Sequence, residues 1–151
     1  MKTLLVVSGG GEAVDIARRA KELGCYVVVS DRDLNAPAFA FSDSCLIADA
    51  SAADETAAAA ERFSRKIRKI EGVIAGSDDA TTTASVAARL GLLGITSDLA
   101  SALGDRLATK QRLLAAGIPI PWFSPVATVP ALQRIAIERG PKLVIEAVES
   151  T

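Results

Sequence analysis

Short apolar runs alternate along the first ninety residues with longer stretches of helical period. Thr3 to Val7 (TLLVV) is apolar almost throughout and is ended by Ser8-Gly9-Gly10-Gly11. From Glu12 to Leu23 the period changes: Ala13, Ile16, Ala17, Ala20 and Leu23 share one helical face, and Gly24 supplies the stop. Tyr26 to Val29 predicts a second strand, closed by Ser30-Asp31, and Asn35 to Ala40 a short turn of helix. Cys45 to Ala48 predicts a third strand. The spacing of Ala60, Phe63, Ile67 and Ile70 then predicts a long helix over Ala52 to Ile70, with those four as its buried stripe. Val73 to Ala75 predicts a fourth strand, ending in Gly76-Ser77-Asp78-Asp79, and Ala80 to Leu90 a helix stopped by Gly91.

Strands apolar on both faces, alternating with helices, indicate a parallel sheet covered on both sides. Right-handed crossovers leave an open doubly wound α/β sheet as the simplest arrangement. After Gly94 the pattern changes, which places a first domain at 1-96 and a second segment at 97-151. Ser97 is positioned to cap a helix over Asp98 to Leu103. Asp105 opens another that runs to Ala116, with Gly117 past its end and Pro119 beyond. Pro119 and Pro121 impose an extended segment, Ile118 to Val126. Thr128 and Pro130 start a last helix closed by Gly140, and Lys142 to Val148 (KLVIEAV) predicts a strand. The expectation is a complete sheet domain followed by the first elements of a truncated α+β domain.

Composition narrows the function classes. Half of the 151 residues are hydrophobic and 23% are charged, enough for a proper core. The net charge of -1 argues against a phosphate-backbone binder, so no nucleic-acid partner is expected. The basic run Arg62 to Lys69 alternates with Phe63, Ile67 and Ile70 and reads as a solvated helix face. The chain contains no histidine, which removes the usual general base, the commonest metal ligand and any Ser-His or Cys-His pair. Cys25 and Cys45 adjoin apolar runs and read as reduced core residues. Leu4 to Val7 is too short for a signal-peptide core or a membrane span, so a soluble cytoplasmic protein with no membrane partner is expected.

In an open parallel sheet, ligands bind at the carboxyl ends of the strands where strand order reverses. Those ends carry Ser8 to Gly11, Asp31, Asp49 and Ser77 to Asp79. A glycine cluster at a helix start offers backbone N–H groups to a carboxylate or phosphate; it serves equally as a tight strand-to-helix turn. Gly9, Gly11 and Asp31 invite comparison with a dinucleotide fingerprint, but Val14 stands at its third glycine. Asp78 and Asp79 read as paired acids or, more simply, as a helix N-cap.

The most informative stretch is Gly104 to Pro121, GDRLATKQRLLAAGIPIP. A D-[RK] pair opening a helix that ends in A-G-I-P-x-P resembles the ATP-grasp superfamily of carboxylate-amine and carboxylate-thiol ligases. Biotin carboxylase, the large subunit of carbamoyl-phosphate synthase and purine-pathway ligases are examples. The preceding sheet pattern resembles their Rossmann-like pre-ATP-grasp domain. By this resemblance Arg106 falls where the family contacts nucleotide phosphates, with Lys110 one turn on and expected to face solvent. Gly9, Gly10 and Gly11 match the turn bordering the acceptor-substrate pocket, with Asp31, Asp78 and Asp79 on the same side. ATP and Mg2+ are implied for a full-length enzyme acting on a small carboxylate, and no cofactor is expected to bind this chain tightly alone. A homodimer is a further possible partner state.

The departures matter too. A strand resembling Lys142 to Thr151 in the family reads V-I-K-P, and its lysine binds the nucleotide; here Glu146 holds that place. Lys142 is four residues earlier, ~13 Å away at strand rise. The glycine-rich lid and the magnesium-binding carboxylates of the family have no counterpart here, so the chain is expected to be inactive alone. Two other readings stay open: a free-standing nucleotide- or dinucleotide-binding module, and an assembly domain without ligand.

Overall fold

The computed structural model describes residues 1–77 and 80–148, so the predicted pair Asp78 and Asp79 lies outside the described residues. Four parallel strands form the sheet: β1 (Thr3–Val7), β2 (Tyr26–Asp31), β3 (Ser44–Ile47) and β4 (Gly72–Ala75), in the order β3-β2-β1-β4. β1 pairs with β2 from Thr3↔Tyr26 to Val7↔Ser30 and with β4 from Leu4↔Gly72 to Val7↔Ala75. The helices are α1 (Gly11–Glu22), α2 (Ala53–Lys66), α3 (Ala80–Leu90), α4 (Ser97–Gly104), α5 (Arg106–Ala115) and α6 (Val129–Arg139), with a 3₁₀ turn at Pro37–Phe41.

Strand alternation produces two cores rather than one. Leu5, Val7 and Val28 point to the face covered by Ala57, Ala60 and Phe63 of α2 and Val86 of α3. Val6, Val27 and Val29 point to the face covered by Ala13, Ala17 and Ala20 of α1 and by Ala38. Each valine buried on either face contributes roughly 1.5–3 kcal/mol. The fold is therefore the expected open α/β sheet wound on both sides.

Two elements depart from the sequence pattern. α2 stops at Lys66, Ile67 is 70% exposed, and Ile70 reaches the core from outside the helix, its N–H donating to Ser64 Oγ at 3.1 Å. The turn lets Arg68 donate from Nε to Thr3 Oγ1 at 2.9 Å and stack over Tyr26, so this member of the basic run is not a solvated helix residue. Lys142 to Val148 forms no strand. A strand needs a neighbouring ladder; among the described residues the backbone bonds here are Leu143 N–H to the Pro141 carbonyl and Arg106 N–H to the Val148 carbonyl. The described part of the second segment thus consists of helices and extended chain.

Smaller corrections have local causes. Helix α4 begins at Ser97 itself, and Thr96 Oγ1 accepts the Leu99 N–H, so Thr96 is the cap. Cys45 is exposed on the edge strand and Cys25 is half-buried, so neither is a core residue; both are free thiols. Asp105 and Thr128 cap α5 and α6 as expected, accepting from Ala108 N at 2.8 Å and Ala131 N at 3.4 Å. The chain divides into two compact units, Met1–Ser101 and Ala102–Thr151.

Carboxylates tie elements of the first unit together. Asp43 accepts from Val27 N–H and pairs with Lys21, and the Lys21 bond holds its carboxyl below the ordinary value of 3.8. Glu61 joins α2 to α3 through Arg89 and is likewise held below 4.5. Groups with depressed folded-state pKa values add stability above their unfolded values and lose it as pH falls through the folded ones. Urea unfolding midpoints are therefore expected to be flat above about pH 5 and to fall between about pH 4 and pH 2. A midpoint at pH 3 equal to that at pH 6 would contradict this.

Candidate functional site

The carboxyl ends of all four strands meet at one side of the sheet, and the order reverses between β1 and β4. Ser8, the first residue past β1, has φ 73, a left-handed conformation uncommon for a residue with a side chain. Gly9 follows because nothing else fits: a Cβ there would lie 2.9 Å from Ala36 Cβ and 3.1 Å from Val29 Cγ1. Its N–H donates to Asp31 Oδ2 at 2.7 Å, while Asp31 Oδ1 accepts from Asp33 N–H at 2.9 Å. Both carboxylate oxygens of Asp31 thus fix backbone, which accounts for an acid about twenty residues past the glycines without a nucleotide ribose. Val14, at the third fingerprint position, is half-buried against the core on the α1 side.

A cleft of about 320 Å³ opens over these strand ends, lined by Ser8, Asp31, Arg32, Asp49, Ser51 and Ser77 with Ala50. Its far wall is pinned by buried threonines. Thr56 Oγ1 donates to the Asp49 carbonyl at 2.7 Å and Thr82 Oγ1 to the Ala50 carbonyl at 2.5 Å. Asp49 is oriented by Ser51, whose N–H and Oγ both donate to Oδ1, and by Arg32 Nη1 at 3.1 Å to Oδ2. Those bonds, Ser51 first, hold the Asp49 carboxyl below its ordinary value. The lining offers hydroxyls, two carboxylates and one cation, a set suited to a small polar ligand. Of the strand-end residues named from the sequence, Ser8, Asp31, Asp49 and Ser77 line the cleft; Gly9, Gly10 and Gly11 do not. A Cβ on Gly10 or Gly11 would meet nothing within 4 Å, so packing does not require glycine there.

Within the second unit, Arg106 and Lys110 lie one turn apart on α5 and both face Glu146. Lys110 Nζ is 2.6 Å from Glu146 Oε2 and Arg106 Nη1 is 3.9 Å from Oε1. Lys110 faces solvent as expected, and there it is the ion-pair partner of Glu146. Its hydrogen bond, with the Arg106 charge, holds the Glu146 carboxyl below 4.5. The two cations could hold an anion, and in this structure a carboxylate of the same chain is that anion. Among the described residues no three carboxylate, cysteine or histidine side chains converge as a metal site.

No protein-family model and no curated protein sequence matches the chain. Solved structures do. Phosphoribosylglycinamide synthetase from Anaerococcus prevotii superposes with a TM-score of 0.64 at 20% identity, over 91% of this chain and 34% of that one. N5-carboxyaminoimidazole synthetase from Staphylococcus aureus complexed with ADP gives 0.66 at 18% identity, over 92% and 36%. L-amino acid ligase from Bacillus licheniformis gives 0.67 at 18%, over 99% and 38%. The shared property is the fold. The chain spans little more than a third of the length of these ligases and synthetases.

Arg32 and Ser51 belong to no motif in the sequence, and nothing in it shows that Arg106, Lys110 and Glu146 meet. Arg32 and Ser51 each directly follow or nearly follow a predicted strand end, which was the available signal. The cluster joins residues 36 apart and carries no local pattern.

Proposed function

We propose that the chain is the N-terminal, substrate-side part of an ATP-dependent carboxylate-amine ligase of the ATP-grasp type. The observation that carries this reading is the polar cleft at the strand-order reversal, in a fold shared with several such ligases and synthetases. In such an enzyme ATP supplies activation of a carboxylate as an acyl phosphate, which a nucleophile then attacks. This chain's share is positional: Ser8 offers a hydroxyl, and Arg32, which Asp49 holds in place, offers its remaining guanidinium donors, to a small carboxylate substrate. Arg106 and Lys110 suit a phosphate group, provided Glu146 gives up its place between them. The described residues do not suit magnesium, so that ion would depend on ligands from elsewhere. The D-R…A-G-I-P-x-P segment keeps carbamoyl-phosphate synthase-like chemistry as the finer reading. A cytoplasmic setting agrees with two free thiols; no helix among the described residues is long and apolar enough to cross a membrane.

Amide NMR of the labelled chain tests the reading. Small carboxylates at millimolar concentration are expected to shift Ser8, Arg32 and Ser51, whereas NAD is expected to shift none of them. Saturable NAD binding at these amides would instead establish a dinucleotide module.

A further inference from the structure

β3 is an edge strand: among the described residues it pairs with β2 alone, and its outer backbone groups have no strand beside them. Alongside it runs a groove of about 470 Å³ whose wall is the side of α2 that borders β3, with Arg62, Lys66 and Ile67 exposed and Ala59 and Phe63 buried at its floor. Ile47 and Ile67 on this groove are 52% and 70% exposed. Unpaired edges of this kind invite a partner.

The charges on α2 say which partner. Glu55, Ala59, Arg62 and Lys66 fall at i, i+4, i+7 and i+11, one straight stripe about 16 Å long at helical rise. The stripe reads acid, small, base, base. Elsewhere on the same helix Glu61 is ion-paired with Arg65 and Arg89, but among the described residues Glu55, Arg62 and Lys66 have no ion pair. Turned end for end, the exposed charges complement themselves: Glu55 meets Lys66, and Arg62 passes over the buried, short Ala59. A parallel copy would set like charge on like, and a uniformly acidic segment would face Glu55.

We infer that this edge is a two-fold interface between two copies of the chain, with β3 antiparallel to its counterpart and α2 antiparallel to its own. An axis normal to the sheet at β3 keeps both α2 helices on one face, side by side, as isologous contact requires. The sheet becomes eight-stranded, and Ile47 and Ile67 leave water. One short strand and one helix make a small interface, so the association is weak and concentration-dependent.

Sedimentation equilibrium of the full chain from about 10 μM to about 1 mM tests the inference. The mass is expected to rise from 15.6 kDa towards twice that value. E55K and K66E are each expected to raise the dimer dissociation constant about tenfold, since each places like charges at two symmetry-related contacts. The double variant E55K/K66E restores the pairing with signs reversed and is expected to recover the parent's constant. Far-UV circular dichroism of each variant establishes that α2 still forms. A chain that stays monomeric throughout overturns the inference. So does a dimer indifferent to both charge reversals, or a double variant no tighter than the singles.

Discussion

Gly76→Ala is expected to lower the stability of the first unit by about 3 kcal/mol, at the upper end of overpacking effects. A Cβ at this position would lie 2.5 Å from the Ser8 carbonyl oxygen, 2.8 Å from that of Val7 and 2.9 Å from Ala13 Cβ. Two of the three atoms belong to the backbone, so no rotamer change relieves the clash. The end of β4 must instead move off the β1–α1 turn and give up the 2.6 Å bond from Gly76 N–H to the Val7 carbonyl. That movement would open the strand-order reversal over which the cleft is built. Gly11→Ala is the control: it is a helical residue with nothing within 4 Å of an added Cβ, so helix propensity makes it neutral or up to about 1 kcal/mol stabilising. Urea denaturation of the two variants beside the parent checks both values. Equal midpoints for Gly76→Ala and the parent would mean that the close approach is not required.

Asp31→Ala is expected to be the second largest effect, about 2–3 kcal/mol. It removes the acceptors of two charge-assisted bonds, from Gly9 N–H at 2.7 Å and Asp33 N–H at 2.9 Å. Gly9 is hemmed in by Ala36 and Val29, so its amide has little freedom to find water instead. Asp31→Asn keeps one acceptor oxygen and is expected to lose about half as much. Hydrogen exchange at the Gly9 amide separates this local account from general unfolding: exchange there accelerates more than at Val6 or Val28 in the alanine variant. Unchanged Gly9 protection would show that the carboxylate does not hold the turn.

Local physics explains which parts of the structure were legible in the sequence. β1 and α3 have the predicted limits because each is a periodic run bounded by glycine. The caps at Asp105 and Thr128 were legible because side-chain acceptors three residues before an amide are a local signal. The end of α2 was not. Its apolar period continues through Ile67 and Ile70, but Arg68 is drawn to Thr3 and Tyr26, partners more than forty residues away in sequence. Lys142 to Val148 has strand composition, yet composition cannot supply a neighbouring strand. The convergence of the strand ends, with Ser8, Asp31, Asp49 and Ser77 on them, was legible; that Asp31 serves the turn itself, that the three glycines stand outside the cleft, and that Arg32 and Ser51 line it, required the fold. Glu146 was legible as a departure from the resemblance, but its pairing with Arg106 and Lys110 was not.

In the proposed function the cleft over the strand ends takes a substrate, while any nucleotide is held at α5. Titration of the labelled chain with ADP, read at every assigned amide and at the Lys110 and Arg106 side-chain nitrogens, tests it most directly. The predicted result is weak binding that shifts Arg106, Lys110 and Glu146 and leaves Ser8, Arg32 and Ser51 unmoved. Saturable ADP binding at Ser8, Arg32 and Ser51, with Arg106 and Lys110 silent, would contradict the claim and make the cleft a nucleotide site.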